Sequence, residues 1–149
     1  MADQPTQRYL VVANQTAQSP ELISELKRLA AESPSEFVLL VPASAPQQGL
    51  TWDESQIKAA ARAIAEQAQR RYEEEGLTVS STAVGSGSPV LAIEDELETN
   101  AGRYSGIVLS TLPLGVSRWL KLDIVSAVKQ RTRIPVTHVI SRAPVSPPA

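Results

Sequence analysis

The feature that most constrains the fold of this chain is the regular alternation of short apolar runs with helical segments. Apolar runs of strand length lie at 8–13, 37–41, 77–84, 106–110 and 136–140, and a helical pattern separates each run from the next. Two neighbouring strands that are joined through a helix run in the same direction, with a right-handed crossover. The sequence therefore predicts a doubly wound α/β fold, a five-stranded parallel sheet with helices on both faces.

The helical segments begin and end at recognisable signals. Ser19 and Ser88 each precede a proline, which is the usual combination of an N-cap residue and a first helical residue. The pattern Thr51-x-x-Glu54 has the form of a capping box, so we predict that Thr51 caps the second helix. Gly76 suits the left-handed conformation that ends this helix.

The order of the strands decides where a ligand can bind. We expect the order 3-2-1-4-5, in which the first and fourth strands are neighbours. Ligands of open α/β sheets bind beyond the carboxyl ends of the strands, where the strand order reverses. The loops at 13–16 and 110–117 are therefore expected to face each other across one crevice.

Small polar residues and two cations follow the strands at this crevice. Ser110, Thr111 and Ser117 supply hydroxyls, while Arg118 and Lys121 supply positive charge for a phosphate or another anion. A plain strand-to-helix connection with surface cations is the alternative interpretation. The complete set of candidate ligand-binding residues is Ala13, Asn14, Thr16, Val41, Ser110, Thr111, Gly115, Ser117, Arg118 and Lys121.

Composition limits the classes of function. The chain has 149 residues, so we treat 1–149 as a single domain, with flexible tails at 1–7 and 143–149. A net charge of −2 gives no basic surface for DNA or RNA, and nucleic acid is not an expected partner. The absence of cysteine and the presence of one histidine argue against disulfides and a metal centre. No segment has the pattern of a signal peptide or a membrane span, so we expect a cytoplasmic protein without a membrane partner.

The sequence contains no recognisable catalytic motif. It lacks a G-x-S-x-G elbow, a Walker A motif and a G-x-G-x-x-G loop, so we do not expect an enzyme. His138 in the last strand is expected to be structural. The acidic residues Glu94, Asp95, Glu96 and Glu98 are expected to form a solvated face of the third helix.

Three stretches, taken in order, resemble the universal stress protein family over roughly residues 8–141. They are RYLVVANQT at the first strand, GSPVLAI at 87–93, and IVLSTLPLGVSRWLKLD followed by IPVTHV. The turn before the family's third helix commonly reads Gly-x-Pro, which Gly87 and Pro89 match. The resemblance implies the family fold and a homodimer formed through the last strand.

The residues that bind ATP in the family are largely replaced. Family members that bind ATP carry Asp at the end of the first strand and a loop of the form G-x2-G-x9-G-[ST]. Here Ala13 or Asn14 stands in place of that Asp, and Leu109 and Leu112 stand in place of the first two glycines. The pair Leu122-Asp123 replaces the final Gly-[ST], and a carboxylate there repels phosphate.

These observations predict a non-catalytic, universal-stress-protein-like protein that binds a small molecule or nucleotide and acts in a stress response. The ligand is left open, ATP or another nucleotide being among the candidates. A ligand-free homodimeric interaction or regulatory module is the first alternative. A nucleotide-processing enzyme is the second.

Overall fold

The structure of the chain is a computed structural model that describes residues 5–43, 53–100, 103–113 and 124–142. Strands and helices alternate along these ranges, as the apolar runs predict. Their order is β1 (Gln7–Val12), α1 (Pro20–Glu32), β2 (Ser35–Pro42), α2 (Glu54–Glu74), β3 (Val79–Gly85), α3 (Pro89–Thr99), β4 (Gly106–Thr111), α4 (Ile124–Arg131) and β5 (Val136–Ile140).

The strands form one parallel sheet in the order β3-β2-β1-β4-β5, which confirms the predicted order. In the centre, β1 pairs with β2 on one side and with β4 on the other. Val12 lies opposite Leu40 of β2 and opposite Leu109 of β4, so these three strands end close to the same level. The carboxyl ends of β1 and β4 are therefore neighbours.

Side chains of the strands alternate between two helical layers. Val11 belongs to the core beneath α1 and α2, whereas Leu10 and Val12 belong to the core beneath α3 and α4. All three are fully buried, and burying a side chain of this size contributes about 1.5–3 kcal/mol. The predicted doubly wound arrangement is thus confirmed.

The helix starts agree with the sequence signals in two of three cases. Ser19 and Ser88 cap α1 and α3 with their side chains, each followed by proline. The prediction that Thr51 caps α2 is wrong. Asp53 caps this helix, in a capping box with Gln56, and its pKa is lowered by the hydrogen bond from the Gln56 amide. A carboxylate accepts the hydrogen bond of a helix amide more strongly than a hydroxyl does. This difference favours Asp53 over Thr51 as the cap.

Several element boundaries differ by one or two residues from those expected. The first strand begins at Gln7, inside the segment predicted to be a tail. The third strand begins at Val79 rather than Leu77, because Gly76 first takes a positive φ of 85° after α2. Within the described ranges, no helix combines the length and apolar character needed to cross a bilayer.

Candidate functional site

The loop after β1 lies directly against the end of β4. The Oγ1 atom of Thr16 and the Oγ atom of Ser110 are 2.6 Å apart, and both residues are buried. We call this end of the sheet the carboxyl edge: the ends of β1, β4 and β5 together with the loop at 13–19. The contact follows from the position of β1 beside β4, which places the loop after β1 and the end of β4 where the strand order reverses.

The Thr16–Ser110 contact belongs to a larger hydroxyl network of Thr16, Ser110, Ser141 and Ser19. The Ser110 and Ser141 Oγ atoms are 3.2 Å apart, and the Ser141 and Ser19 Oγ atoms are 2.7 Å apart. Ser19 Oγ also accepts a hydrogen bond of 3.1 Å from the backbone amide of Leu22 in α1. The network therefore joins β4, the end of β5 and the start of α1.

Asn14 is tied to the end of β2. Its Nδ2 atom donates to the carbonyl of Pro42 over 2.7 Å, which fixes the plane of the carboxamide. Ala13 also binds this strand, through its amide and the carbonyl of Leu40 at 3.3 Å. The side chain of Val41, another candidate residue, is buried in the core beneath α1 and α2.

Thr111 and His138 form a second polar pair, one strand further along. Thr111 Oγ1 and His138 Nε2 are 2.7 Å apart. Partial burial, and then the positive charge of Lys129, lower the pKa of His138 below its ordinary value of 6.5. Both effects favour the neutral imidazole, whose Nε2 atom accepts a hydrogen bond from Thr111 in one tautomer and donates one to it in the other. The expectation of a structural His138 agrees with this contact.

A tyrosine of α2 holds the loop at 13–19 from the opposite side. Tyr72 Oη donates a hydrogen bond to the carbonyl of Ala17, and both residues are buried. Burial raises the pKa of Tyr72, so the hydroxyl stays protonated and remains a donor. The loop that carries Thr16 is thereby fixed between the sheet and α2.

Sequence reasoning missed Ser141 and Tyr72. The signal for Ser141 is a hydroxyl residue directly after the last apolar run, comparable with Ser110 at the end of the run at 106–110. Tyr72 continues the spacing of the inner face of α2, after Ala61, Ala65 and Ala68. The remaining candidates, Gly115, Ser117, Arg118 and Lys121, lie outside the described residues, as does Asp123.

A groove of about 630 Å³ lies between α3 and α4. It is lined by three carboxylates, Glu94, Asp95 and Glu98, against one cation, Arg131, which pairs with Glu94. This balance of charge repels phosphate. Glu96, on the face predicted to be solvated, is partly exposed and accepts hydrogen bonds from Tyr104 and Asn100.

The described residues show no metal centre. Within these ranges, no three histidine or carboxylate side chains come together as metal ligands would.

Solved structures of other proteins share the fold of this chain. No protein-family model matches the sequence, and no curated protein is significantly similar to it. Among solved structures, a universal stress protein in complex with cAMP is 17% identical with a TM-score of 0.60, over 91% of this chain and 97% of that one. A universal stress protein from Archaeoglobus fulgidus is 15% identical with a TM-score of 0.61, over 89% and 93%.

The Archaeoglobus fulgidus protein in complex with dAMP is also similar, at 15% identity and a TM-score of 0.59, over 91% of this chain and 98% of that one. These similarities span nearly the whole of each chain and agree with the strand order of the sheet. The chain therefore has the α/β fold of the universal stress proteins.

Proposed function

We propose that this chain is a non-catalytic nucleotide-binding protein of the universal stress protein type that acts in a stress response. The main support for this proposal is that β1 and β4 are neighbours in the sheet, so that the loop at 13–19 contacts Ser110. Open α/β sheets bind ligands where the strand order reverses in this way. Solved structures of the same fold in complex with cAMP and dAMP support a nucleotide as the ligand.

Asn14 is the residue best suited to contact a base. Its Nδ2 atom is held by the carbonyl of Pro42, and its Oδ1 atom accepts no hydrogen bond from any other described residue. A carboxamide oxygen in a fixed position can accept a hydrogen bond from an exocyclic amine such as that of adenine. Asn14 is also neutral, whereas ATP-binding members of the family carry Asp at the end of the first strand.

A nucleotide with one phosphate suits the carboxyl edge better than a triphosphate. Leu109 and Leu112 stand in place of two glycines of the family's ATP loop, and both are buried. Glycine allows phosphate oxygens to approach backbone amides closely, and a leucine side chain at the same position restricts that approach. The nucleotides bound in the two similar structures, cAMP and dAMP, each carry a single phosphate.

Titration calorimetry with AMP, cAMP and ATP tests the proposal. We expect AMP or cAMP to bind, ATP to bind more weakly, and Asn14→Ala to weaken AMP binding about tenfold, the equivalent of one hydrogen bond of about 1.4 kcal/mol. Asn100→Ala is the matched control, because Asn100 caps the far end of α3. The absence of both binding heat and thermal stabilisation with all three nucleotides would contradict the proposal.

The absence of catalysis is part of the proposal. Thr111 and His138 are a hydroxyl and an imidazole in contact, as in a nucleophile and its base. However, Thr111 is buried, and among the described residues no carboxylate is hydrogen-bonded to His138. We therefore expect no phosphate release from ATP above the buffer control. Turnover that disappears in Thr111→Val would show an enzyme instead.

We also propose that the chain forms a homodimer through β5. This edge strand reads VTHVI, without the proline or the formal charge that usually protects a free edge from pairing. Its last residue, Ile140, is 54% exposed. A second copy of β5, running antiparallel about a twofold axis, would pair the edge and cover Ile140.

Sedimentation equilibrium tests the homodimer. We expect a dimer for the natural chain and a monomer for Ile140→Glu, because a carboxylate opposes pairing at an edge. Leu91→Glu is the matched control, since Leu91 is similarly exposed, at 51%, but lies on α3. A monomeric natural chain, or equal effects of the two substitutions, would contradict the homodimer.

One observation favours a second candidate function, a ligand-free interaction module. The hydroxyls of Thr16, Ser110 and Ser141 are hydrogen-bonded to one another, so they need no ligand to be satisfied. Native mass spectrometry of the protein purified from cells separates the two candidates. A co-purified nucleotide supports the nucleotide-binding protein, and a mass equal to the polypeptide alone, together with negative calorimetry, supports the module.

A further inference from the structure

The hydroxyl network has one more proton than its internal contacts use. Thr16, Ser110, Ser141 and Ser19 are joined by three contacts, and each contact takes one hydroxyl proton. Four hydroxyls supply four protons. One proton must therefore find an acceptor outside the network.

The burial of the middle residues decides where that proton can lie. Ser110 and Ser141 are 1% and 0% exposed, and among the described residues their hydroxyls are hydrogen-bonded only to members of the network. A buried hydroxyl proton without an acceptor is unfavourable. The spare proton therefore belongs to one of the two ends, Thr16 or Ser19.

The two ends differ in their access to water. Ser19 is partly exposed, so water can accept its proton, and its Oγ atom keeps a lone pair for the amide of Leu22. Thr16 is buried at the carboxyl edge. Without a ligand, every proton is expected to point from Thr16 towards Ser19. A hydrogen-bond acceptor placed against Thr16 reverses that direction.

We propose that Ser141 is a positioning residue that joins the four hydroxyls into one cooperative unit, which transmits the presence of an acceptor at Thr16 to Ser19 at the start of α1. Hydrogen bonds in such a series polarise one another, so the ends are coupled although their hydroxyls do not touch. The coupling is a property of the protein alone. Its use by a nucleotide rests on the proposed function.

A triple-mutant cycle tests the coupling without any ligand. In the natural background, Thr16→Val and Ser19→Ala together are expected to change the unfolding equilibrium constant about three- to tenfold differently from the product of their separate effects. In a Ser141→Ala background, the two substitutions are expected to combine within about twofold of that product. Coupling that passes through the backbone of the loop would survive in that background, so its persistence would overturn the proposal.

A second measurement needs no substitution at Ser141. The amide proton of Leu22 reports on Ser19 Oγ, because the two are hydrogen-bonded. We expect Thr16→Val to move the NMR resonance of this proton, and the matched control Thr137→Val, on the exposed part of β5, to leave it in place. Equal responses to the two variants would also overturn the proposal.

The nucleotide is tested separately. AMP at saturating concentration is expected to move the Leu22 resonance in the natural chain and not in Ser141→Ala. AMP that binds to the natural chain without moving the resonance contradicts the coupling and leaves the proposed function intact. A failure of AMP, cAMP and ATP alike to bind contradicts the proposed function, and the triple-mutant cycle then decides on the coupling alone.

Discussion

Thr16 and Ser110 are 94 positions apart in the sequence, yet their side-chain oxygens are separated by 2.6 Å in a buried contact. The contact exists because β1 lies between β2 and β4, so that the loop after β1 meets the end of β4. Two hydroxyls at this distance form a good hydrogen bond. The strand order predicts that the loop after β1 and the end of β4 face each other. In the structure their hydroxyls are already hydrogen-bonded to each other.

The first prediction concerns this contact. Thr16→Val keeps the shape of the side chain and removes its hydrogen bond, so the free energy of unfolding should fall by about 1 kcal/mol in urea denaturation. Thr137→Val is the control, because Thr137 is exposed on β5 and its substitution should change stability by less than about 0.5 kcal/mol. Equal effects at both positions would show that the buried contact adds no stability.

The second prediction concerns the hydroxyl of Tyr72. Tyr72→Phe leaves the buried carbonyl of Ala17 without its donor, and the free energy of unfolding should fall by about 1–3 kcal/mol. Tyr9→Phe is the matched control, because the Tyr9 hydroxyl has no hydrogen bond with the described residues. Hydrogen exchange should also become faster at the amides of the loop at 13–19 in Tyr72→Phe. Unchanged exchange there would contradict the role of Tyr72 in holding the loop.

The third prediction concerns the close approach of β3 to α3. A Cβ atom on Gly85 would lie 2.5 Å from the Cβ atom of Ala92, so Gly85→Ala should destabilise the protein by about 1–3 kcal/mol through overpacking. Adding Ala92→Gly removes the clashing atom. The double variant should therefore be less destabilised than the sum of the two single variants, in thermal or urea unfolding. Additive effects would mean that the two elements separate rather than clash.

The fourth prediction concerns pH. The pKa of His138 is lowered in the folded state by partial burial and by Lys129, whereas the unfolded chain keeps the ordinary value of 6.5. As pH falls below 6.5, the unfolded chain takes up a proton first, so the free energy of unfolding decreases until pH has passed below the folded-state pKa. Above 6.5 this contribution to stability is fully present.

His138→Gln should remove that decrease. The chain has one histidine, so urea denaturation between pH 5 and pH 7 isolates its effect from that of the carboxylates, which titrate at lower pH. A natural chain whose stability is flat across this range would contradict the prediction, as would a variant that keeps the same slope. The resonance of the imidazole C2 proton gives the folded-state pKa directly.

The architecture was predictable because it depends on features that a sequence displays. Helical segments between all apolar runs require parallel strands, and prolines after Ser19 and Ser88 mark two helix starts. The start of α2 was less predictable, because Thr51-x-x-Glu54 and Asp53-x-x-Gln56 are overlapping signals of the same form. The structure uses Asp53, which also accepts a hydrogen bond from Ser55 over 2.8 Å.

The location of several candidate residues was predictable, but their contacts were not. Thr16, Ser110 and Thr111 could be placed at the carboxyl edge from the strand order alone. Their partners depend on the register of β5 against β4, which pairs Ser110 with Val139 and Thr111 with Ile140. Ser141 and His138, each two residues from those partners along the chain, are then in reach of Ser110 and Thr111. The sequence pattern of β5 does not encode this register, because the strand alternates weakly between apolar and polar residues.

The central place of β1 in the sheet has a consequence for synthesis on the ribosome. β1 can pair with β2 soon after both emerge, but its other edge stays open until β4 has been translated. Nascent polypeptides that end before residue 106 therefore carry an unpaired apolar edge in the middle of the future sheet. Such truncated intermediates should be recognised by chaperones, and they should aggregate more readily than the finished protein.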